Sequence, residues 1–263
     1  MNTAGAWWTQ NIADIMIGPV NEASVLFGTP GTDVIIGLGL NNQIFGEGGN
    51  DFIYAGSGNA FVDLGLGNAT VILGGGHNVV GSVGGNVTVI GGTAGYDAID
   101  LGNGNNVVEI GGTNDEVLLA NGSNFVSGTQ GMAFISTGAG NDTIHFDGSY
   151  NTIDAGGGTN TITGGSSHNL YVLPEASSGL DIISGFTESS ADVLDLQGSL
   201  ATTSWRGNPT TLSEYLLVTS SRGNTTLSIA PQGNGSGTPV AVLMGVGNLN
   251  LSDLLSHNSL FTG

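Results

Sequence analysis

Aspartates recur at an 18-residue spacing inside a glycine-rich stretch of this 263-residue chain. Asp33 and Asp51 form one pair at this spacing, and Asp97 and Asp115 form a second pair. The chain carries 21 carboxylates and only two basic residues, so internal salt bridges cannot neutralise it. Hard divalent cations are the natural counter-ions, because they prefer oxygen ligands. Taken singly, each aspartate is typical of a turn, but the paired spacing favours metal binding.

Apolar residues repeat with the same period and indicate the elements that position these aspartates. One row follows the aspartate period, and a second row runs half a period out of phase with it. The first row comprises Ile35, Ile53, Val71 and Val89, and the second comprises Ile44, Val62 and Val80. After a one-residue insertion near residue 90, the rows resume as Ile99, Val117, Ile135 and Ile153, and as Val108, Val126, Ile144 and Ile162. Such a period is typical of a solenoid whose coils bury apolar side chains by stacking.

The fold class that this pattern predicts is all-β, a parallel β-roll (β-solenoid) with two nine-residue half-turns per coil. Glycines follow the period as well, in the ladder Gly31, Gly49, Gly67 and Gly85 and in its continuation Gly104, Gly122, Gly140 and Gly158. Glycine permits turns with positive φ and the close approach of backbone carbonyls. We therefore expect a turn at each of these positions.

Segments such as Gly46-Glu-Gly-Gly-Asn-Asp-Phe-Ile-Tyr54 and Thr137-Gly-Ala-Gly-Asn-Asp-Thr-Ile-His145 resemble the Gly-Gly-x-Gly-x-Asp-x-apolar-x nonapeptide of the repeats-in-toxin (RTX) family. That family forms a parallel β-roll and binds Ca²⁺ in its turns. A turn Asp there joins carbonyl oxygens of its own loop and an Asp of the next loop on the same side. The resemblance implies Ca²⁺ as the bound metal, with the ligand positions Asp33, Asp51, Asp97, Asp115, Asp142, Gly31, Gly49 and Gly140.

The same comparison predicts unequal sites. Asp142 has Asn124 and Asn160 as its ladder neighbours, so its site is expected to be weaker than those of the two Asp pairs. The remaining ladder positions depart from the family pattern and are expected to be metal-free: Asn42, Ala60, Ala69, Asn78, Val87, Asn106, Ala133 and Asn151. Asn in such a turn supplies a neutral carbonyl ligand or makes local hydrogen bonds, and it tolerates left-handed backbone conformations, so metal-free turns can remain ordered. The low charge per site predicts dissociation constants of roughly 10⁻⁴ to 10⁻³ M.

Three segments are expected along the chain. Residues 1–27 are an N-terminal cap or interaction segment, in which Trp7 and Trp8 cover the first coil or contact another subunit. Residues 28–173 are the glycine-rich β-roll of roughly eight coils. Residues 174–263, with Asp181-Ile-Ile-Ser-Gly-Phe186 and Leu251-Ser-Asp-Leu-Leu255, resemble the β-rich C-terminal target domain of type I secretion substrates. This resemblance implies export by a type I apparatus and folding outside the cell on Ca²⁺.

Composition excludes several classes of partner and site. Nucleic acid and anionic lipid both need a Lys/Arg surface, which a net charge of −19 does not provide. No cysteine is present for a disulfide or thiolate site, and no stretch is long enough to insert in a membrane as a helix. The first residues do not read as a Sec signal peptide, which leaves a cytosolic protein or export by another route. The family resemblance implies a secreted protein, extracellular or at the cell surface of a Gram-negative bacterium.

Catalysis finds little support in the sequence. The four histidines follow no metal-ligand spacing, and no serine lies in a Gly-x-Ser-x-Gly elbow. The leading hypothesis is a non-catalytic Ca²⁺-binding structural protein that self-assembles into a surface layer, filament or biofilm matrix. The alternative is an adhesin or carbohydrate-binding module that holds extracellular polysaccharide or a partner enzyme at the surface, although the repeat-region aromatics look scattered in the sequence. A minor alternative is ice binding, since Thr70 and Thr88, like Thr143 and Thr161, are in phase.

Overall fold

Successive strands of this chain alternate between two parallel sheets, which is the connectivity of a solenoid. The structure is a computed structural model, and it describes residues 14–263. The chain divides into two units, one ending at Ser127 and one beginning at Gly128. The first is parallel β-solenoid, and the second combines parallel β-solenoid with an antiparallel hairpin and three short helices. The whole is all-β, and the two units together comprise about 10 coils.

In the first unit one sheet has the order β1-β3-β5-β7-β9-β11-β13, and the other has the order β2-β4-β6-β8-β10-β12. The strands of the first sheet are β1 (Asp14–Ile17), β3 (Asp33–Ile36), β5 (Gly49–Tyr54), β7 (Gly67–Ile72), β9 (Val87–Ile90), β11 (Val107–Ile110) and β13 (Phe125–Gly128). Those of the second are β2 (Ser24–Phe27), β4 (Asn41–Phe45), β6 (Asn59–Asp63), β8 (Asn78–Gly84), β10 (Asp97–Asn103) and β12 (Glu116–Leu119).

The second unit repeats this arrangement and adds an antiparallel hairpin. One sheet runs β15-β17-β19-β23-β22-β21, and the other runs β14-β16-β18-β20-β24. The strands are β14 (Phe134–Ser136), β15 (Thr143–Phe146), β16 (Thr152–Asp154), β17 (Gly158–Thr163), β18 (Leu170–Val172), β19 (Gly179–Ser184), β20 (Val193–Asp195), β21 (Leu216–Ser221), β22 (Asn224–Ile229), β23 (Thr238–Met244) and β24 (Leu260–Phe261). Helices are short: α1 (Gln197–Ala201), α2 (Leu212–Tyr215) and α3 (Leu251–Ser256).

The predicted apolar rows form the core. Ile35 pairs with Ile53 in one sheet, and Ile44 pairs with Val62 in the other, with all four side chains fully buried. Because side chains alternate along a strand, one apolar residue per strand points inward and stacks on its counterpart one coil away. The insertion near residue 90 is confirmed, since Val89 pairs with Val108, one position beyond the regular period.

Parallel pairing continues past residue 173, where β19 joins β17 and β20 joins β18. The boundary that we expected there stays a proposal, since no change of architecture marks it. At the other end, β1 and β2 pair with β3 and β4, so residues 14–27 form strands of the solenoid. The predicted roles of Trp7 and Trp8 lie outside the described residues.

Candidate metal centre

The aspartates that the sequence singled out occupy one recurring position, within two residues of the start of a strand and facing inward. We call this the ladder position. In the first unit it is held in one sheet by Asp33, Asp51, Ala69, Val87, Asn106 and Asn124, and in the other by Asn42, Ala60, Asn78, Asp97 and Asp115. In the second unit it is held by Asp142, Asn160 and Asp181, and by Ala133, Asn151, Asn169 and Asp192. Every one of these side chains is buried.

One type of hydrogen bond, from a backbone N–H to a side-chain oxygen one coil away, links both Asp pairs and several other consecutive ladder positions. The backbone N–H of Asp33 donates to Oδ1 of Asp51 over 3.0 Å, and that of Asp97 donates to Oδ1 of Asp115 over 2.9 Å. The N–H of Asp142 likewise donates to Oδ1 of Asn160 over 3.0 Å. The structure thus brings both predicted Asp pairs together across neighbouring coils. A carboxylate or amide oxygen serves equally well here, because a buried N–H needs any acceptor.

The aspartates of each pair differ in their side-chain partners. Oδ2 of Asp33 accepts the N–H of Thr29 over 2.6 Å, and Oδ1 of Asp97 accepts the side-chain N–H₂ of Asn78 over 2.8 Å. Oδ2 of Asp51 and Oδ2 of Asp115 are buried and have no hydrogen-bond partner. A buried charged oxygen without a hydrogen-bond partner lowers the stability of the folded state, so we expect each of these two atoms to bind a proton or a cation.

Glycine leaves space beside each of these carboxylates. A Cβ placed on Gly46 would lie 2.9 Å from Oδ2 of Asp51 and 3.2 Å from the carbonyl oxygen of Leu64, one coil further on. A Cβ on Gly112 would lie 3.1 and 3.3 Å from the Asp115 oxygens and 2.8 Å from the Gly95 carbonyl oxygen. Carboxylate and carbonyl oxygens of two coils therefore converge on one point. This donor set fits Ca²⁺, which binds oxygen atoms of both kinds.

Of the three glycines predicted as ligands, Gly31 and Gly140 lie in turns and Gly49 is the first residue of β5. At these points the backbones of neighbouring coils approach each other. Gly49 has a φ of 103°, and a Cβ on it would overlap the carbonyl oxygen of Gly31. Gly140 has a φ of 151°, and a Cβ on Gly158 would overlap the carbonyl oxygen of Gly140. These contacts explain why glycine is required, while their role as carbonyl ligands stays a prediction.

Asparagine at the ladder position replaces what a cation would supply. The side-chain N–H₂ of Asn106 donates to the carbonyl oxygens of Gly102 and Gly104 over 3.2 and 3.3 Å. The amide of Asn42 does the same toward Gly39 and Ala55, over 3.2 and 2.9 Å. The expectation that Asn makes local hydrogen bonds in its turn is confirmed. Aspartate has no N–H₂ group to donate to the carbonyl oxygens of its turn, and a cation can take the place of that donor.

Burial dominates the electrostatics of the metal-free ladder. Desolvation raises the pKa of Asp51 to about 6, the charge of Asp33 adds to the rise, and the Asp33 N–H opposes it. Desolvation likewise raises the pKa of Asp97 and the pKa of Asp115. A bound cation would favour the ionised carboxylates and lower these values.

Sequence reasoning missed two ladder residues, Asp181 and Asp192. Asp181 pairs with Asn160, and Oδ1 of Asp192 accepts the N–H of Asn169, in both cases across a spacing longer than the regular period. A search at that period therefore passes over both. A local sequence pattern could have identified them: an aspartate followed directly by two apolar residues. Asp181-Ile-Ile and Asp192-Val-Leu share this pattern with Asp33-Val-Ile.

Three phenylalanines correct the expectation that the repeat-region aromatics are scattered. Phe27, Phe45 and Phe61 lie side by side on the outer face of the sheet that contains β2, β4 and β6, with ring centroids 5.0 and 5.9 Å apart. The rings of Phe27 and Phe45 are stacked on each other, and Phe27 and Phe61 are exposed.

Other features relevant to function are few. Among residues 14–263, no group of three His, Cys, Asp or Glu side chains is arranged to hold a metal ion. Any site at the ladder therefore depends on one or two carboxylates together with backbone oxygens. Within the same residues, no helix has the length and hydrophobicity needed to cross a membrane.

The fold and the ladder together define a β-solenoid with carboxylate and carbonyl donors for a hard cation. Comparison with family models agrees: the RTX calcium-binding nonapeptide repeat (4 copies) matches residues 27–62, 120–153 and 147–171. The chain thus carries RTX calcium-binding repeats, and its metal is Ca²⁺. The matched segments include Asp33, Asp51 and Asp142, whereas Asp97 and Asp115 lie between them.

Comparison with whole proteins adds little. No curated protein matches this chain. Among solved structures, the extracellular lipase LipA from Serratia marcescens is similar at 14% sequence identity, with a TM-score of 0.38, over 92% of this chain. The chain spans 40% of the length of that lipase. The absence of catalysis stays a prediction.

Proposed function

We propose that this chain is a secreted Ca²⁺-binding structural protein that closes its coils on the metal outside the cell and then self-associates into a surface layer, filament or biofilm matrix. The observation that carries the calcium part is the unpartnered Oδ2 of Asp51 and of Asp115, each facing a carbonyl oxygen beside a glycine. The main sites are the pairs Asp33/Asp51 and Asp97/Asp115. Asp142, which has an Asn as its next ladder neighbour, forms a weaker site.

Calcium supplies the positive charge that this chain lacks. With a net charge of −19, the folded state repels itself, and a cation bound between two coils reduces that repulsion. A ligand of the folded state stabilises it by RT ln(1 + [L]/Kd), so sites of weak affinity fill outside a cell and stay empty inside it. Export of an unfolded chain by a type I apparatus, with residues 174–263 as the target segment, is compatible with this difference.

Exposed apolar residues at the first strands support self-association. Ile17 of β1 and Phe27 of β2 are 62% and 58% exposed, and these strands are first in their sheets among the described residues. A strand at the end of a sheet offers unpaired backbone groups to another chain. Bridging Ca²⁺ would offset the repulsion between two acidic copies.

Calcium titration of the purified chain tests both parts of this proposal. Circular dichroism is expected to show folding on addition of millimolar Ca²⁺ and its reversal by EDTA. Light scattering and electron microscopy are expected to show particles larger than a monomer only in Ca²⁺. The variant F27S should reduce assembly, whereas F134S, also exposed but far along the sequence, serves as the control. A monomer at high concentration in Ca²⁺ would refute self-association and leave calcium-dependent folding to be judged from the dichroism.

An adhesin that binds neutral polysaccharide is the second candidate, and the row Phe27, Phe45 and Phe61 favours it over the remaining alternatives. Aromatic rings can pack against sugar rings, and the acidic surface excludes anionic glycans. The stacking of Phe27 on Phe45 leaves mainly ring edges for a sugar, which is why this function ranks second. Glycan-array binding that disappears in F61A would raise it to first place.

A further inference from the structure

Asp181 resembles the metal-requiring aspartates but lies beyond the segments that match the calcium-binding repeats. It continues the ladder one coil after Asn160, and its side chain is fully buried. Oδ1 accepts a hydrogen bond from the side-chain amide of Asn160 over 3.0 Å. Oδ2 is buried and has no hydrogen-bond partner. In this respect Asp181 matches Asp51 and Asp115.

Asp192 provides the contrast within the same unit. It too occupies a ladder position and is fully buried. Its Oδ1 accepts the N–H of Asn169 over 2.9 Å, and its Oδ2 accepts the N–H of Thr187 over 3.0 Å. Both oxygens of Asp192 are therefore satisfied by the protein. Burial and ladder position alone do not create a need for a cation, but an unpartnered oxygen does.

The charges around Asp181 are negative. Asp142 and Asp154 both act on it electrostatically, and each disfavours a further negative charge at this point. Neither arginine of the chain forms an ion pair with it among the described contacts. A buried carboxylate in such a position is neutralised by a proton or by a cation.

We propose that Asp181 holds a Ca²⁺ ion of its own, additional to those at the two Asp pairs and at Asp142. Its Oδ2 is the anionic ligand, and backbone or water oxygens complete the oxygen shell that Ca²⁺ requires. The side-chain amide of Asn160 already donates a hydrogen bond to Oδ1 of Asp181, so the ion is bound through Oδ2 alone. The proposal rests on the calcium-dependent function above and extends calcium binding into the segment after residue 173.

The test counts calcium ions in the full chain, with Ca²⁺ alone as the probe. Wild type, D181N and D192N are dialysed against millimolar Ca²⁺ at pH 7.5, and bound metal is measured by isothermal titration and elemental analysis. D181N is expected to bind one ion fewer per chain than wild type. D192N is expected to bind as many ions as wild type, while its unfolding temperature falls equally with and without Ca²⁺.

An unchanged calcium count in D181N overturns the proposal and identifies Asp181 as a protonated carboxyl group. Asn occupies the adjacent ladder position, so D181N should fold. If it does not, the variant D33N/D51N/D97N/D115N/D142N decides by itself, because it keeps Asp181 and should retain one Ca²⁺ ion per chain. Retention of none overturns the proposal. A wild-type chain that binds no Ca²⁺ would instead refute the proposed function itself.

Discussion

The backbone N–H of Asp33 donates to Oδ1 of Asp51 over 3.0 Å, and this bond leaves Oδ2 of Asp51 buried without a partner. Neighbouring coils are thereby joined through a carboxylate of which only one oxygen has a hydrogen-bond partner. The same relationship joins Asp97 to Asp115. At these positions an unpartnered carboxylate oxygen lowers the stability of the metal-free protein and favours the binding of Ca²⁺. Three of the predictions below depend on this opposition, and the fourth depends on the tight turns.

Asp51→Asn should stabilise the metal-free protein and weaken its response to calcium. The amide keeps the acceptor for the Asp33 N–H, removes the buried charge and donates into its own turn, as Asn106 does. Relief of an unsatisfied buried acceptor is worth about 1–3 kcal/mol. Chemical denaturation in EDTA and in millimolar Ca²⁺ measures both effects. Glu22→Gln, at an exposed site, controls for the loss of one charge; an equal response of the two variants would contradict the assignment.

Asn106→Asp should have the opposite effect. The acid retains an oxygen for the N–H of Val87 but loses the donor to the Gly102 and Gly104 carbonyl oxygens. We expect a loss of stability in EDTA that Ca²⁺ partly restores. Asn105→Asp is the matched control, since Asn105 is exposed and its oxygen accepts the N–H of Ser123. Differential scanning fluorimetry across a calcium series separates the two variants, and identical curves would rule out the exchange of amide for cation.

The metal-free protein should lose stability as the pH rises. Burial raises the pKa of Asp51 from 3.8 to about 6 and the pKa of Asp181 from 3.8 to about 7. Between pH 3.8 and these raised pKa values, the folded state binds more protons than the unfolded state. The contribution of the two carboxyl groups to folding stability is therefore fully present below about pH 4. It is lost as the pH passes through 6 to 7. Urea denaturation in EDTA at pH 4 to 8 should show this decline, and millimolar Ca²⁺ should remove most of it. A rise in metal-free stability over this range would contradict the burial of unpaired carboxylates.

Gly49→Ala should destabilise the protein whether or not calcium is present. Its φ of 103° disfavours a side chain, and a Cβ would overlap the Gly31 carbonyl oxygen. The backbone penalty alone is about 1–2 kcal/mol. Gly81→Ala is the control, since a Cβ there meets no atom within 4 Å. Thermal unfolding of both variants provides the comparison, and equal midpoints would show that the turn can open without cost.

The period of the apolar residues was sufficient to predict the coil. In a solenoid each coil repeats the same arrangement of strands and turns, so each repeat of the sequence shows the same spacing of apolar residues. Ile35, Ile53 and Val71 could be assigned to one buried row from spacing alone, and β3, β5 and β7 pair as that spacing requires. Prediction weakened where the spacing changed. The turn before Asp181 is longer, so its distance along the chain from Asn160 exceeds the regular period, and only the strand register shows that the ladder continues.

The sequence by itself determined the fold class, the two buried rows and the pairing of Asp33 with Asp51 and of Asp97 with Asp115, because all of these follow from a constant period. Only the tertiary structure decided which carboxylate oxygens are left without a partner. Asp181 and Asp192 share their residue type, their burial and their place in the ladder, yet the N–H of Thr187 reaches Asp192 and no donor reaches Oδ2 of Asp181. That difference arises from the path of each turn in space. Whether a hydrogen bond forms depends on differences in donor–acceptor distance of a few tenths of an ångström, which residue spacing does not encode.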